Sequence, residues 1–260
     1  MKKILLICIV IILLAVFCYS GWQLLSIGQD YRVGEKTYES IEQYARIPET
    51  TPRKNQTGDA TGTAEQQIPE KAEILWPEVD FEALQEVNPD VVAWLYIEGT
   101  EINYPVMQGR DNDQYLYRLI TGEHNSAGSL FLEAGLEPDF SGPNNPVYGH
   151  NMKNGSMFAG LTGYKNQKFY EEHPVALLMT PNENYQVKIF SAYVLDADGD
   201  AWDIYFTEET LAAWQDQTIR RSYISTDVIP TVRDRILTMS TCSYETDNSR
   251  FLVHGILIPE

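Results

Sequence analysis

Eight short runs rich in β-branched and aromatic residues limit the folds open to this chain. Glycine, proline and asparagine separate the runs, which is typical of strands joined by turns. The runs are VVAWLYI, INYPVM, GSLFL, NPVYGH, VALLM, YQVKIFSAYVL, RILTMST and RFLVHGILI. One long helix is predicted among them, where Thr207 caps EETLAAWQDQTIRR. This pattern predicts a mainly β fold, a closed or nearly closed eight-stranded barrel with a long helix inserted before the late strands.

The N-terminus carries an uncharged run over residues 4–25, preceded by Lys2 and Lys3. As a helix, this run would span about 33 Å, enough for the hydrocarbon core of a bilayer. The two lysines favour an N-terminus inside the cell. We therefore predict a single-pass membrane anchor over residues 1–28, with the rest of the chain on the extracellular face. A cleaved signal peptide is the alternative, although no small-x-small cleavage site is present.

The segment after the anchor, residues 29–73, divides into two parts. Apolar and aromatic residues first recur at roughly helical spacing, which predicts a juxtamembrane helix: Tyr31, Tyr38, Ile41 and Tyr44. Residues 49–73 then have almost no large apolar side chains and form a predicted polar linker with a reach of about 25–30 Å. Residues 74–260 are the predicted folded domain, which opens with a short N-terminal helix capped by Asp80 and ended by Pro89.

The charge of the chain is strongly negative. Nineteen Lys and Arg against thirty-seven Asp and Glu give −18 at pH 7. Such a surface repels phosphate backbones, so we expect no nucleic-acid partner. The acidic run DADGD at residues 196–200 lacks the glycine and glutamate spacing of an EF-hand, and we interpret it as a turn rather than a metal site.

The cysteines raise the question of chemistry. Cys8 and Cys18 lie in the predicted membrane helix, so Cys242 is alone in the predicted exported part. Exported proteins usually pair their cysteines, and an unpaired one indicates a reactive thiol or an intermolecular bridge. A buried, inert thiol is the alternative at this point.

A hairpin formed by the last two runs would bring Cys242 close to Arg250, because neighbouring strands lie about 4.8 Å apart. The guanidinium could then favour a thiolate or hold an oxyanion. Alternatively, Arg250 could pair with Glu245 or Asp247 in the intervening loop.

A thiol nucleophile normally needs a proton partner, most often a histidine. His150 ends a short strand beside a polar turn and is well positioned to act. His124 and His173 lie in loops and are expected to be exposed, whereas His254 is expected to be a packed strand residue.

Six stretches within residues 80–260 occur together in a specific order: NPDVVAWLYIEGTEINYPVMQGRDNDQYL, AGSLFL, VYGHNMKNGSMF, FYEEHP, ILTMSTCSYE and RFLVHG. Together they resemble the sortase family, and class B sortases in particular. The most specific element is a strand ending in Thr-x-Ser-Thr-Cys, followed by an arginine on the next strand. This chain matches it, with Met239 at the variable position where leucine is more usual, a change that conserves volume.

The resemblance implies a sortase-type β-barrel and a cysteine transpeptidase at the outer membrane face of a Gram-positive cell. It implies that Cys242 is the nucleophile, His150 the general acid and base, and Arg250 the residue that stabilises the oxyanion. The family's groove-lining positions correspond here to Asn112, Leu116 and Ser240.

The implied reaction cleaves a sorting signal after threonine near the C-terminus of a surface protein. It proceeds through a thioacyl intermediate and joins the protein to an amine of a peptidoglycan precursor, with no metal or organic cofactor. Class B members use Asn-Pro-x-Thr or Leu-Pro-x-Thr-Gly-like signals. Two alternatives stay open: a membrane-anchored cysteine protease that releases the same intermediate to water, and a tethered binding module in which Cys242 is inert.

Overall fold

The computed structural model describes residues 2–48 and 74–260, so the predicted polar linker lies outside the described residues. Helix α1 (Lys2–Ile41) contains a segment long and apolar enough to cross a membrane, by length and composition alone. It is one continuous helix rather than an anchor followed by a separate juxtamembrane helix. No proline, the strongest helix breaker, precedes Pro48, and this allows the helix to continue.

A short 3-10 helix (Glu42–Tyr44) and strand β1 (Ala45–Arg46) follow α1, and β1 pairs with strand β2 (Glu78–Val79). The other helices are α2 (Phe81–Val87), α3 (Gln167–Glu172) and α4 (Glu208–Arg221), with 3-10 helices at Phe158–Lys165 and Asp200–Trp202. Asp80 caps α2 by accepting from the Ala83 amide, and Thr207 caps α4 in a reciprocal pair with Thr210. Both caps confirm the sequence prediction.

The remaining eight strands correspond to the eight predicted runs. They are β3 (Val91–Tyr96), β4 (Asn103–Met107), β5 (Leu130–Leu132), β6 (Asn144–Tyr148), β7 (Val175–Met179), β8 (Asn184–Asp196), β9 (Arg235–Cys242) and β10 (Ser249–Pro259). They close into a barrel in the order β10-β8-β7-β3-β4-β5-β6-β9, and β9 returns to β10. This confirms the predicted mainly β, eight-stranded barrel.

Two strand pairs in the barrel are parallel, β4 with β5 and β6 with β9, and the others are antiparallel. The barrel has no open edge, so every strand finds a hydrogen-bonding neighbour on each side. Large side chains fill the interior, and Trp94, Phe158 and Phe251 are each fully buried. The interior is therefore a packed core, and any substrate has to bind on the rim or the outer surface.

The second half of α1 packs against the barrel. Tyr38 and Ile41 are buried in the main core cluster. The Tyr38 hydroxyl donates to the Gly128 carbonyl at 2.5 Å, and the side-chain amide of Asn125 donates to the Asp30 carbonyl at 2.8 Å. The part of the chain predicted as a juxtamembrane helix therefore contributes to the core of the folded domain.

Helix α4 covers the outside of strands β8, β9 and β10. Leu211 and Trp214 from α4 form a second apolar cluster with Phe190, Ile236 and Ile256. At its C-terminal end, Arg221 makes a salt bridge of 2.5 Å to Asp200 in the preceding 3-10 helix. The helix thereby anchors the segment that joins it to β8.

Candidate active site

Cys242 and Arg250 face each other across the β9–β10 hairpin. Cys242 ends β9, Arg250 is the second residue of β10, and the two are direct partners in the strand register. Directly opposite residues in an antiparallel pair project to the same face of the sheet. Both side chains are half-buried, so the thiol is not sealed in the interior.

The alternative ion pairs of Arg250 are not formed. Glu245 pairs instead with Lys165, and this contact lowers the pKa of the Glu245 carboxyl. Among the described residues Arg250 makes no salt bridge, and its guanidinium donates only to the Ser249 carbonyl, at 3.1 Å. Its remaining donors are therefore available to a ligand.

His150 reaches the same level as Cys242 through the parallel pairing of β6 with β9. Tyr148 is the register partner of Ser240, and the pairing continues beyond the end of β6. The Gly149 amide donates to the Ser240 carbonyl at 3.1 Å, and the Asn151 side chain donates to the Cys242 carbonyl at 2.9 Å. His150, between these two contacts, is thus held alongside the end of β9.

A backbone carbonyl orients the imidazole of His150. Its Nε2 lies 2.6 Å from the carbonyl oxygen of Leu116, and the ring of Tyr117 packs on it with centroids 5.3 Å apart. Because a carbonyl only accepts hydrogen bonds, Nε2 carries a hydrogen. Nδ1 is therefore the ring nitrogen left to exchange a proton with a substrate.

The other three histidines are not among the residues that surround Cys242 and His150. His124 is exposed, as predicted, whereas His173 is half-buried with its Nδ1 2.8 Å from the Glu98 carbonyl, so its expected exposure was wrong in part. His254 is fully buried, and burial lowers its pKa to about 3. It stacks on Tyr193 and contacts Thr238 through Nδ1, which confirms the prediction of a packed strand residue.

These groups open into one cleft of about 500 Å³. All six residues predicted for the site line it: Asn112, Leu116, His150, Ser240, Cys242 and Arg250. Within residues 2–48 and 74–260, no three His, Cys, Asp or Glu side chains are grouped as a metal ion would require.

Asn112 is held on the wall of the cleft by Glu133. Its amide nitrogen lies 2.8 Å from each Glu133 carboxylate oxygen, and its own oxygen accepts from the Ala134 amide. Tyr148 donates its hydroxyl to the same carboxylate at 2.7 Å, and its pKa is raised by burial and by the Glu133 charge. Sequence reasoning missed Glu133 and Tyr148, because no local pattern links them to Asn112.

A second group of residues missed from the sequence comes from the segment between β8 and α4. Asp198, Trp202 and Asp203 also line the cleft. The sequence indicated only a turn here, and a turn by itself carries no sign of which surface it covers.

Comparison with known proteins agrees with this geometry. A model of the sortase domain matches residues 95–258. The chain is 35% identical to sortase B of Staphylococcus aureus over 181 residues, 68% of this chain and 74% of that protein. It is 32% identical to sortase B of Listeria monocytogenes over 251 residues, 95% of this chain and 94% of that protein.

Similarity extends to solved structures. A complex of Staphylococcus aureus sortase B with a substrate aligns with a TM-score of 0.66 at 35% identity, covering 69% of this chain and 84% of that one. The strand order, the half-buried thiol at the end of β9 and these relatives all lead to one conclusion. The chain belongs to the sortase family of cysteine transpeptidases, on its class B branch.

Proposed function

We propose that this chain cleaves a C-terminal sorting signal after threonine and transfers the signal-bearing protein to an amine of the cell wall. The observation that carries the proposal is the convergence of Cys242, His150 and Arg250 on one solvent-accessible cleft. A nucleophile, a proton donor and an oxyanion-binding cation are the groups that acyl transfer requires.

In the first half-reaction, the Cys242 thiolate adds to the threonine carbonyl carbon and the carbonyl oxygen becomes an oxyanion. The Arg250 guanidinium stabilises that charge. As the carbon–nitrogen bond breaks, His150 donates its Nδ1 proton to the leaving amine, and a thioester remains on the enzyme. The Nε2 contact with Leu116 keeps the ring in one orientation throughout.

In the second half-reaction, an amine of a peptidoglycan precursor attacks the thioester. His150 Nδ1 accepts the proton of the amine, the carbon–sulfur bond breaks, and the Cys242 thiolate is restored. The product is an amide between the surface protein and the wall. Asn112, Leu116 and Ser240 bind the sorting signal along the cleft, an assignment supported by their positions on its lining.

Helix α1 is the membrane anchor in this proposal. Its apolar segment crosses the bilayer with Lys2 and Lys3 on the inside, and the barrel lies on the extracellular face. Both the exported substrates and the wall precursors are accessible there, and no nucleic acid is involved.

The test uses the detergent-solubilised full chain with Asn-Pro-x-Thr and Leu-Pro-x-Thr-Gly peptides, with and without triglycine as amine. We expect cleavage after threonine and a peptide–triglycine product. If the peptides were hydrolysed but no triglycine product formed, even at high triglycine concentration, the chain would be a cysteine protease. If the peptides were bound but not cleaved, it would be a binding module.

Replacement of the nucleophile gives the matched comparison. We expect Cys242→Ala to reduce cleavage below detection, while Cys18→Ala, which removes a thiol from the apolar part of α1, retains wild-type activity. A thiol-alkylating reagent should label Cys242 in the folded chain and block cleavage. Full activity of Cys242→Ala would contradict the proposed mechanism.

A further inference from the structure

Trp202 forms part of the wall of the cleft and contacts Ser240 directly. It ends the 3-10 helix Asp200–Trp202 between β8 and α4, and its side chain is half-buried. Its indole Nε1–H donates to the Ser240 hydroxyl oxygen at 3.2 Å. Ser240 lies on β9 two residues before Cys242, so this contact is adjacent to the reacting thiol.

A buried asparagine holds the backbone on both sides of Trp202. Asn144 on β6 is completely buried, and its amide nitrogen donates to the Ala201 carbonyl at 3.0 Å and to the Asp203 carbonyl at 2.9 Å. The two accepting residues immediately precede and follow Trp202. The indole therefore projects from a backbone segment that is fixed at each end.

The orientation of Asn144 is determined by a line of buried polar groups behind it. Its side-chain oxygen accepts from the Thr238 hydroxyl at 2.6 Å, and the Thr238 oxygen is 2.8 Å from His254 Nδ1. Thr238 has a single hydroxyl hydrogen and donates it to Asn144, so His254 Nδ1 is the donor to Thr238. Each hydrogen bond in the line therefore has its donor on the His254 side and its acceptor on the Trp202 side. A flip of the Asn144 amide would place its nitrogen against the Thr238 donor and break these hydrogen bonds.

The contact with Trp202 determines what Ser240 can offer to a ligand. A serine hydroxyl has one hydrogen to donate and lone pairs to accept. Trp202 uses the acceptor side, and within the described part of the chain Ser240 donates its own hydrogen to no partner. The hydrogen is thus free for an acceptor in the cleft.

We propose that Trp202 is a positioning residue that makes Ser240 a hydrogen-bond donor to a carbonyl oxygen of the bound peptide. This inference rests on the proposed function, because it assumes a peptide in the cleft. The two hydrogen bonds from Asn144 to the flanking backbone fit this role, because a hydrogen bond weakens when its donor leaves the preferred distance and angle.

A double-mutant cycle tests the inference in the full chain. Trp202→Phe keeps an aromatic wall but removes the indole N–H, and Ser240→Ala removes the hydroxyl. We expect each variant to lower kcat/KM for the sorting-signal peptide by roughly three- to tenfold, mainly through KM. Because both changes break one shared contact, the double variant should be no worse than Ser240→Ala.

Trp214→Phe is the matched control. It also deletes an indole N–H that donates to this segment, to the Asp200 carbonyl at 2.9 Å, but Trp214 does not line the cleft. We expect Trp214→Phe to lower the melting temperature. We also expect its effect on kcat/KM to be independent of Ser240→Ala, so that the fold-change of the double variant equals the product of the two single fold-changes. Effects of Trp202→Phe and Ser240→Ala that multiply in the same independent way would overturn the inference while leaving the proposed function intact.

Binding measured without turnover separates the two proposals. In a Cys242→Ala background, Trp202→Phe should weaken peptide binding by the same factor by which it raises KM. A wild-type chain that cleaves no peptide, together with a Cys242→Ala chain that binds none, would overturn both the proposed function and this inference.

Discussion

The orientation of His150 depends on a backbone carbonyl, and that carbonyl depends on a glycine. Gly128 has a φ of +57°, and a Cβ built on it would lie 2.4 Å from the Leu116 oxygen that contacts His150. A carbon and an oxygen atom cannot approach so closely without a bond. Because the Leu116 oxygen belongs to the backbone, it cannot move aside as a flexible side chain would. The site thus needs glycine at this position for space as well as for its left-handed conformation.

Gly128→Ala should therefore displace the Leu116 carbonyl and misorient His150. We expect kcat for peptide cleavage to fall roughly ten- to a hundredfold, since misplacement by about 1 Å can cost that much. Gly122→Ala is the control: its φ is +84°, but nothing lies within 4 Å of the added carbon. Backbone strain should cost each variant about 1 kcal/mol of stability, and the contact with the Leu116 carbonyl should cost Gly128→Ala more. Equal kcat values in the two variants would refute the role given to Leu116.

At the scale of elements, α1 supports the loop that carries Leu116. Asp30 accepts hydrogen bonds from the amide and hydroxyl of Ser126, and Tyr38 donates to the Gly128 carbonyl. Leu116 and the residues that contact α1 belong to one loop, between β4 and β5. Within this loop, the backbone amide of Asn125 donates to the Tyr117 carbonyl at 3.0 Å. Helix α1 therefore supports the loop that orients His150, in addition to packing on the barrel.

Tyr38→Phe tests this connection, because it removes the hydroxyl and leaves the Gly128 carbonyl buried without that donor. We expect a loss of about 1–3 kcal/mol in unfolding free energy and a lower kcat. Tyr31→Phe removes a half-buried hydroxyl that makes no hydrogen bond among the described residues, so it should leave both quantities near wild type. Thermal unfolding and peptide cleavage of the two variants, measured side by side, decide the matter; matching kcat values would contradict the coupling.

At the scale of the whole molecule, one helix runs from the apolar N-terminal segment to the barrel. Its 40 residues span about 60 Å. Because the second half is packed into the core, the cleft has a defined position relative to the first half. In the proposed membrane orientation, this packing would hold the cleft at a constant height above the bilayer. That height would not depend on residues 49–73, because they do not connect α1 to the core contacts of Tyr38 and Ile41.

Stability of the whole domain should depend on the protonation of His254. Burial, with a smaller contribution from Arg221, lowers its pKa to about 3, and Asp200 opposes the shift in part. In the unfolded chain the pKa is about 6.5, so between these values the unfolded state binds more protons. The stabilising contribution is complete above about pH 6.5 and is lost as the pH falls towards 3.

His254→Gln should remove this pH dependence while keeping a donor towards Thr238. Between pH 6 and pH 4, we expect the unfolding free energy of the wild type to fall more steeply than that of the variant, by about 1 kcal/mol per pH unit. Exposed His124→Gln should follow the wild-type slope. Denaturant unfolding of the three solubilised chains at several pH values provides the comparison, and parallel slopes for wild type and His254→Gln would contradict the burial argument.

Much of the local structure could be predicted from the sequence. The eight strand runs, the caps at Asp80 and Thr207 and the hairpin joining Cys242 to Arg250 all depend on residues close together in the chain. The position of His150 at a strand end already indicated a proton partner, the family resemblance agreed, and the structure brings His150 to the same cleft. The division into anchor, linker and catalytic domain stays a prediction, as do the roles of the six site residues.

Contacts between distant segments could not be predicted in this way. The parallel pairing of β6 with β9 aligns Tyr148 with Ser240, and no local pattern encodes that pairing. The same holds for Glu133 beside Asn112 and for Trp202 beside Ser240. Each pair joins segments whose separate sequences indicate only a strand end or a turn.

The sequence by itself therefore determined which segments become strands and helices and which residue types are available for chemistry, because hydrophobic period, turn residues and caps act over a few neighbouring positions. Only the tertiary structure decided how strands distant in the sequence pair, that α1 joins the core and that Trp202 lies beside Ser240. Those outcomes depend on burial and hydrogen bonding between parts of the chain that meet only when the barrel closes.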